Sequence, residues 1–260
     1  MPSHILTVYR RSDPSKEFIA KKVHEQSNEL KILKLLNTIQ PKSEHVVSLL
    51  DSFHGQSGMW AILPRLSTVA DYAAFSPNQM SAHITEVCWG LIKGLAHLHK
   101  HCIAHRDIKV DNLLFRREDS CLIIIDFDVA IQVKGEDEEV DGQCGTEGWM
   151  APEVEDKSSV YSPIRADRWS CGRVLLSLLD HFRKRDDNLR AIGRKLMARN
   201  PRQRPSLLEW RSWVASPFLN MADVGKGGKG KASRPLQDTT AREDDGEDTK
   251  PSGAKKQRLM

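Results

Sequence analysis

Asp107, Lys109 and Asn112 fall within six residues of one another in the run AHRDIKVDNLL, and Asp126 follows nineteen residues after Asp107, closing the apolar run CLIIID. Phosphoryl transfer asks little covalent chemistry of a protein. It needs a carboxylate to orient and deprotonate a hydroxyl, cations to neutralise phosphate oxygens, and oxygen ligands for a divalent metal. Two carboxylates, an ammonium and a carboxamide at this spacing could supply such groups from two neighbouring loops.

Those loops need elements to hold them. Before the first lies MSAHITEVCWGLIKGLAHLHK, read as a helix from Met80 to about His99, whose apolar stripe at Val87, Leu91, Leu95 and Leu98 suits a buried central helix. Short strands are expected at 112–115 and 121–127, around the charged turn RREDS. Upstream, ILTVY and EFIAKKV flank a polar turn and read as a hairpin. Residues 25–36 carry Leu30, Leu33, Ile32 and Leu36 at helical spacing, and VVSLLDSF (46–53) and GMWAILPRL (58–66) read as further strands. Downstream, a long loop to about Pro152 precedes helices near 166–181, 187–198 and 206–214. Strands first and helices after imply an α+β protein of two lobes with the site in the cleft between them.

Composition narrows the class. At 260 residues the chain can bury a sizeable core, and its net charge of +4 is too mild to argue for nucleic acid. Its five cysteines are scattered, with no C-x-x-C pair, which suggests reduced thiols rather than a disulfide framework or zinc site. No stretch approaches the roughly 20 apolar residues of a membrane span, and the N-terminus lacks the apolar core of a signal peptide. A soluble cytoplasmic protein is expected, with KKQR (255–258) as a candidate nuclear-import signal. After Ala222 large apolar residues nearly vanish, and 222–260 reads as a disordered charged tail.

The run HRDIKVDNLL closely resembles the catalytic loop of Ser/Thr protein kinases, and IIIDFD resembles their metal-binding loop. GTEGWMAPE (145–153), ADRWSCG (166–172) and NPRQRPS (200–206) follow in the order that family shows. The resemblance covers roughly 100–206. It implies a two-lobed protein kinase-like fold: a kinase domain over 1–221, with a small, truncated β-rich N-lobe to about 66 and a mainly helical C-lobe. It also implies ATP and Mg²⁺ as cofactors and a Ser or Thr hydroxyl of a protein as acceptor. Asp107 would be the base, Lys109 the cation near the γ-phosphate, and Asn112 and Asp126 the metal ligands. Arg204 would pair with Glu153. Upstream, IAKK resembles V-A-I-K, which makes Lys22 the lysine on the α- and β-phosphates, with Lys21 the next candidate and Glu29 its partner. Leu63 would border the adenine pocket, with 64–66 as the hinge.

Departures from the pattern matter as well. Asp128 stands where D-F-G has glycine, adding a Cβ and a carboxylate. The interval from Lys22 to Glu29 is short, and the first glycine is Gly55, so no Gly-rich loop precedes the lysine. Only 37 residues separate Asp167 from Arg204, where the family usually carries an extra helix and loops, so docking of a substrate or partner through that region is not expected. From Phe127 to Gly145 there is no Ser, Thr or Tyr, although many kinases carry a phosphorylated residue there. The acidic run EDEEVD (136–141) is read as a phosphate substitute pairing with Arg106, against the plainer reading of a solvated loop. His97, His99, His101 and His105 invite a metal-site reading, but the family pattern accounts for His99 and His105. Two functions remain open: an ATP-dependent Ser/Thr kinase and a pseudokinase serving as a binding or regulatory module. Candidates for every charged group that touches phosphate or metal favour the first.

Overall fold

The computed structural model describes residues 4–71, 77–116, 118–156 and 160–215, with the side chains of 77–81 left aside. They lie in one compact unit, Met1–Asp223; the second unit, Val224–Met260, and with it the expected disordered tail, lies outside the described residues.

Two strands, β1 (Ile5–Arg10) and β2 (Asp13–Lys22), form the expected hairpin. The turn is tighter than the polar run suggested: Tyr9 pairs with Glu17, then the register shifts and Arg10 pairs with Asp13. With β3 (Asp51–Gly55) and β4 (Gly58–Pro64) they make one antiparallel sheet in the order β1-β2-β4-β3. The strand expected over 46–53 begins only at Asp51. Val46 and Val47 are both buried, which a strand with one wet face cannot achieve, and they run alongside Ile124 instead.

Helix α1 spans Glu29–Thr38, starting four residues later and ending two residues later than its apolar spacing implied. Its buried face is Glu29, Ile32, Leu33 and Leu36, at i, i+3, i+4 and i+7. Helix α2 (Pro77–Lys100) contains the expected span and buries Val87, Leu91, Leu95 and Leu98 in a continuous core with Leu33 of α1 and Leu63 of β4. Burying each such leucine contributes roughly 1.5–3 kcal/mol, so the central helix is the main anchor of the site above it.

After α2 come β5's partners in a small second sheet. β5 (Ser67–Thr68) pairs with β7 (Leu113–Arg116), and β7 with β8 (Cys121–Ile124). The two-residue strands β6 (Ile103–Ala104) and β9 (Ile131–Gln132) pair beside it. Helix α3 (Pro152–Glu155) is short. Helix α4 (Pro163–His181) starts earlier than its motif did, because Ser162 caps it through the Arg165 N–H and Pro163 suits the first turn. Helix α5 (Asp187–Leu196) is capped by Asp186. It crosses α4 where a Cβ on Gly172 would stand 2.6 Å from the Gly193 carbonyl oxygen, so only glycine permits that approach. The last expected helix is a 3₁₀ turn (Leu207–Glu209) leading into α6 (Trp210–Ala215). The chain is therefore α+β in two lobes, strands in the N-terminal part and helices beyond. Among the described residues no helix is long and apolar enough to cross a membrane, and the five cysteines are free.

Candidate active site

Asp107 sits on the loop between β6 and β7 with both carboxylate oxygens engaged. Thr146 Oγ1 donates to Oδ1 at 2.7 Å, Lys109 Nζ lies 2.9 Å from Oδ2, and Asn112 Nδ2 donates to Oδ2 at 3.0 Å. Lys109 also donates to Thr146 Oγ1 at 2.7 Å, closing a ring of three side chains. Burial works to raise the Asp107 carboxyl, but the bonds from Lys109 and Thr146 outweigh it and hold the group below its ordinary value. It is a carboxylate at neutral pH, poised to accept a proton. Thr146 had no role assigned from the sequence. The glycine before it was the signal: Gly145 has φ +121°, and a Cβ there would meet the Arg106 carbonyl oxygen at 2.9 Å.

The loop is anchored from below by Asp167 of α4, 1% exposed, whose oxygens accept the His105 and Arg106 N–H groups at 2.7 and 2.8 Å. His99 Nε2 joins it at 3.2 Å. Arg106 is held at φ +67°, a left-handed conformation sustained only because both its neighbour and its own N–H are tied down. His105 Nε2 meets the Ile125 carbonyl at 2.9 Å, and its ring lies 5.0 Å from that of Phe127, which is fully buried. His97 and His101 face each other with ring centroids 4.9 Å apart. The four histidines thus serve packing and hydrogen bonding, and no group of three metal-capable residues among the described ones includes them.

Lys21, not Lys22, is the lysine of the site. Its Nζ lies 2.8 Å from Glu29 Oε1, 2.6 Å from Asp126 Oδ1 and 3.3 Å from Asp128 Oδ2. The correction follows from the pleat. Lys21 pairs with Ala61 and Lys22 with Trp60, so the two lysines leave β2 on opposite faces, and only the first faces α1. Leu63 pairs with Ile19 on the Lys21 face and is buried in the core. Burial opposes the Lys21 charge, yet Glu29 and Asp126 hold it above the usual lysine range. Burial raises Glu29 to about 7 against the pull of Lys21, with the Asp128 charge adding to the rise. Asp128 stays below its ordinary value because Lys21 and the hydrogen bonds outweigh burial. Asp126 itself is at φ +67°, which turns its carboxylate off the strand direction and towards Lys21.

The donor set fits a divalent cation. Asp126 offers a partly exposed carboxylate. Asn112 commits its amide nitrogen to the Asp107 carbonyl and carboxylate, which leaves its carbonyl oxygen, the atom a hard cation takes, uncommitted to Asp107.

The acidic run does not meet Arg106. Glu136 pairs with Arg168 and, at 3.2 Å, with Arg165; Asp137 pairs with Arg165 at 2.5 Å. Both arginines stand on the first turns of α4, whereas the Arg106 side chain faces Cys144 and Tyr161. The pairing of Arg204 with Glu153 is as expected: its side chain is fully buried and bidentate at 2.5 and 2.7 Å.

Residues 8–188 match the model of the protein kinase domain family. Relatives include a calcium/calmodulin-dependent protein kinase, cmkB, of Emericella nidulans, 29% identical over 64% of this chain and 41% of that protein. Serine/threonine-protein kinase pakF of Dictyostelium discoideum is 31% identical over 74% of this chain and 16% of that protein. Serine/threonine-protein kinase PLK4 of Drosophila sechellia is 41% identical over 39% of this chain and 14% of that protein. The chain thus spans less than half the length of each. Family members use ATP and a divalent metal. By its match and by the residues it assembles, this chain belongs to the protein kinase domain family.

Proposed function

We propose that this chain is a Ser/Thr protein kinase that transfers the γ-phosphoryl group of Mg-ATP to a hydroxyl of a protein, with residues 1–221 as the catalytic domain. The observation that carries the reading is the ring around Asp107: a carboxylate kept ionised, with an ammonium and a hydroxyl fixed on it, beside a second carboxylate and an amide that suit a cation. Asp107 takes the proton of the acceptor hydroxyl as that oxygen attacks the γ-phosphorus, and the bond from that phosphorus to the bridging β-phosphate oxygen breaks to release ADP. Lys109, 2.9 Å from Asp107, neutralises charge on the moving phosphoryl oxygens. Lys21, steadied by Glu29, orients the α- and β-phosphates, while Leu63 borders the base. A Mg²⁺ ion held by Asp126 and Asn112 would neutralise the triphosphate.

The acceptor side has its own chemistry. From Gly135 to Asp156 there are nine acidic residues and no Lys or Arg, three of the nine (Glu136, Asp137 and Glu153) being paired with arginines elsewhere in the chain. An open cavity of about 750 Å³ lies where Gly145 and Glu147 flank Thr146, with Glu155 on its rim. A basic protein is therefore the natural probe. Incubation with Mg-ATP should place phosphate on Ser or Thr of such a protein. Stabilisation by Mg-ATP without any phosphoserine or phosphothreonine would favour the pseudokinase reading instead.

A further inference from the structure

Asp128 occupies the position where the kinase metal-binding motif has glycine, and both of its oxygens are used. Oδ1 accepts from Ser27 Oγ at 3.2 Å, and Oδ2 accepts from Lys21 Nζ at 3.3 Å. Ser27 Oγ in turn accepts the Glu29 N–H at 2.9 Å, at the point where α1 begins. Glycine could make neither contact. The loop 126–128 is thus attached to α1 in three ways. Lys21 bridges Asp126 and Glu29, the Phe127 N–H donates to Glu29 Oε1 at 3.3 Å, and Asp128 reaches Ser27. The first two depend on the single side chain of Glu29. The third reaches the backbone at the helix start by an independent route.

We propose that Asp128 is a positioning residue for phosphoryl transfer, latching the start of α1 to the metal-binding loop so that Lys21 and Glu29 stay assembled with Asp126. The inference rests on the kinase reading above. It answers a need of this chain, because the segment from Phe127 to Gly145 has no Ser, Thr or Tyr through which a phosphate could order the site. A latch built from a side chain does that work permanently.

The test compares the full chain with Asp128→Ala, Asp128→Asn, Ser27→Ala and the Ser27→Ala/Asp128→Ala double variant. Two quantities are read: amide hydrogen exchange over residues 29–36, and kcat and KM for Mg-ATP and for a basic acceptor protein. Asp128→Ala should speed exchange at the start of α1 and lower kcat/KM for ATP about tenfold, with KM for the acceptor and the melting temperature held. Ser27→Ala should reproduce part of the loss, the double variant should add little to Asp128→Ala, and Asp128→Asn, which keeps an acceptor for Ser27, should restore protection. Unchanged exchange over 29–36 in Asp128→Ala, or fully additive losses in the double variant, would overturn the latch. Exchange is read without turnover, so a chain that fails to phosphorylate refutes the kinase reading while the latch is still decided.

Discussion

Lys21 and Lys22 are neighbours of identical chemistry, and only the pleat of β2 separates them. Lys21 meets Glu29 and Asp126, whereas Lys22 leaves the opposite face. Replacing Lys21 with methionine should lower kcat/KM for ATP on the order of 100-fold, the scale of losing one preorganised charge on a phosphate. Lys22→Met should change it less than about threefold, as for most substitutions outside a site. Steady-state kinetics on the two variants decides between them, and the reverse ranking would restore Lys22. Asp126 and Arg106, both at φ +67°, are two of the five non-glycine residues in the left-handed region among the described ones.

At the scale of elements, the acidic run 136–141 is held to α4 by ion pairs. Glu136 lies between Arg165 and Arg168, and burial of its carboxyl is outweighed by the Arg168 guanidinium, which holds it below its ordinary value. A depressed carboxyl stabilises the fold above the unfolded carboxylate range and loses that contribution as pH falls through its folded value. Glu136→Gln should therefore melt lower than the parent at pH 7, and the gap between the two should narrow steadily as pH falls below the ordinary glutamate range. A gap that does not narrow with falling pH would mean that packing, not charge, holds the segment. The Arg204–Glu153 pair ties α3 to the segment after α5. With the Arg204 side chain fully buried, Arg204→Leu removes a bidentate ion pair and should cost about 3–5 kcal/mol in urea unfolding.

Across the whole molecule, what could be read in advance divides by the range of the interactions involved. The catalytic loop, the metal-binding loop and the Arg204–Glu153 pair were legible because short motifs carry their own geometry. The central helix was legible because Val87, Leu91, Leu95 and Leu98 repeat on one face. What the sequence hid depends on contacts between distant segments. Lys21 is chosen over Lys22 by where α1 packs, and Arg165 and Arg168 capture Glu136 because α4 begins at Pro163, which the motif alone did not mark. Asp167, read as the start of a helix motif, proved to be the anchor of the catalytic loop, a role set by residues more than 60 positions away. The most direct test of the account is the rate at which γ-labelled Mg-ATP labels a basic acceptor protein, measured for the parent chain and for Asp107→Asn under the same conditions. A base in the ring with Lys109 and Thr146 predicts that the parent transfers label and that the variant is slower by about 10²–10⁴-fold. Equal rates in the two, whether both fast or both near zero, would contradict it.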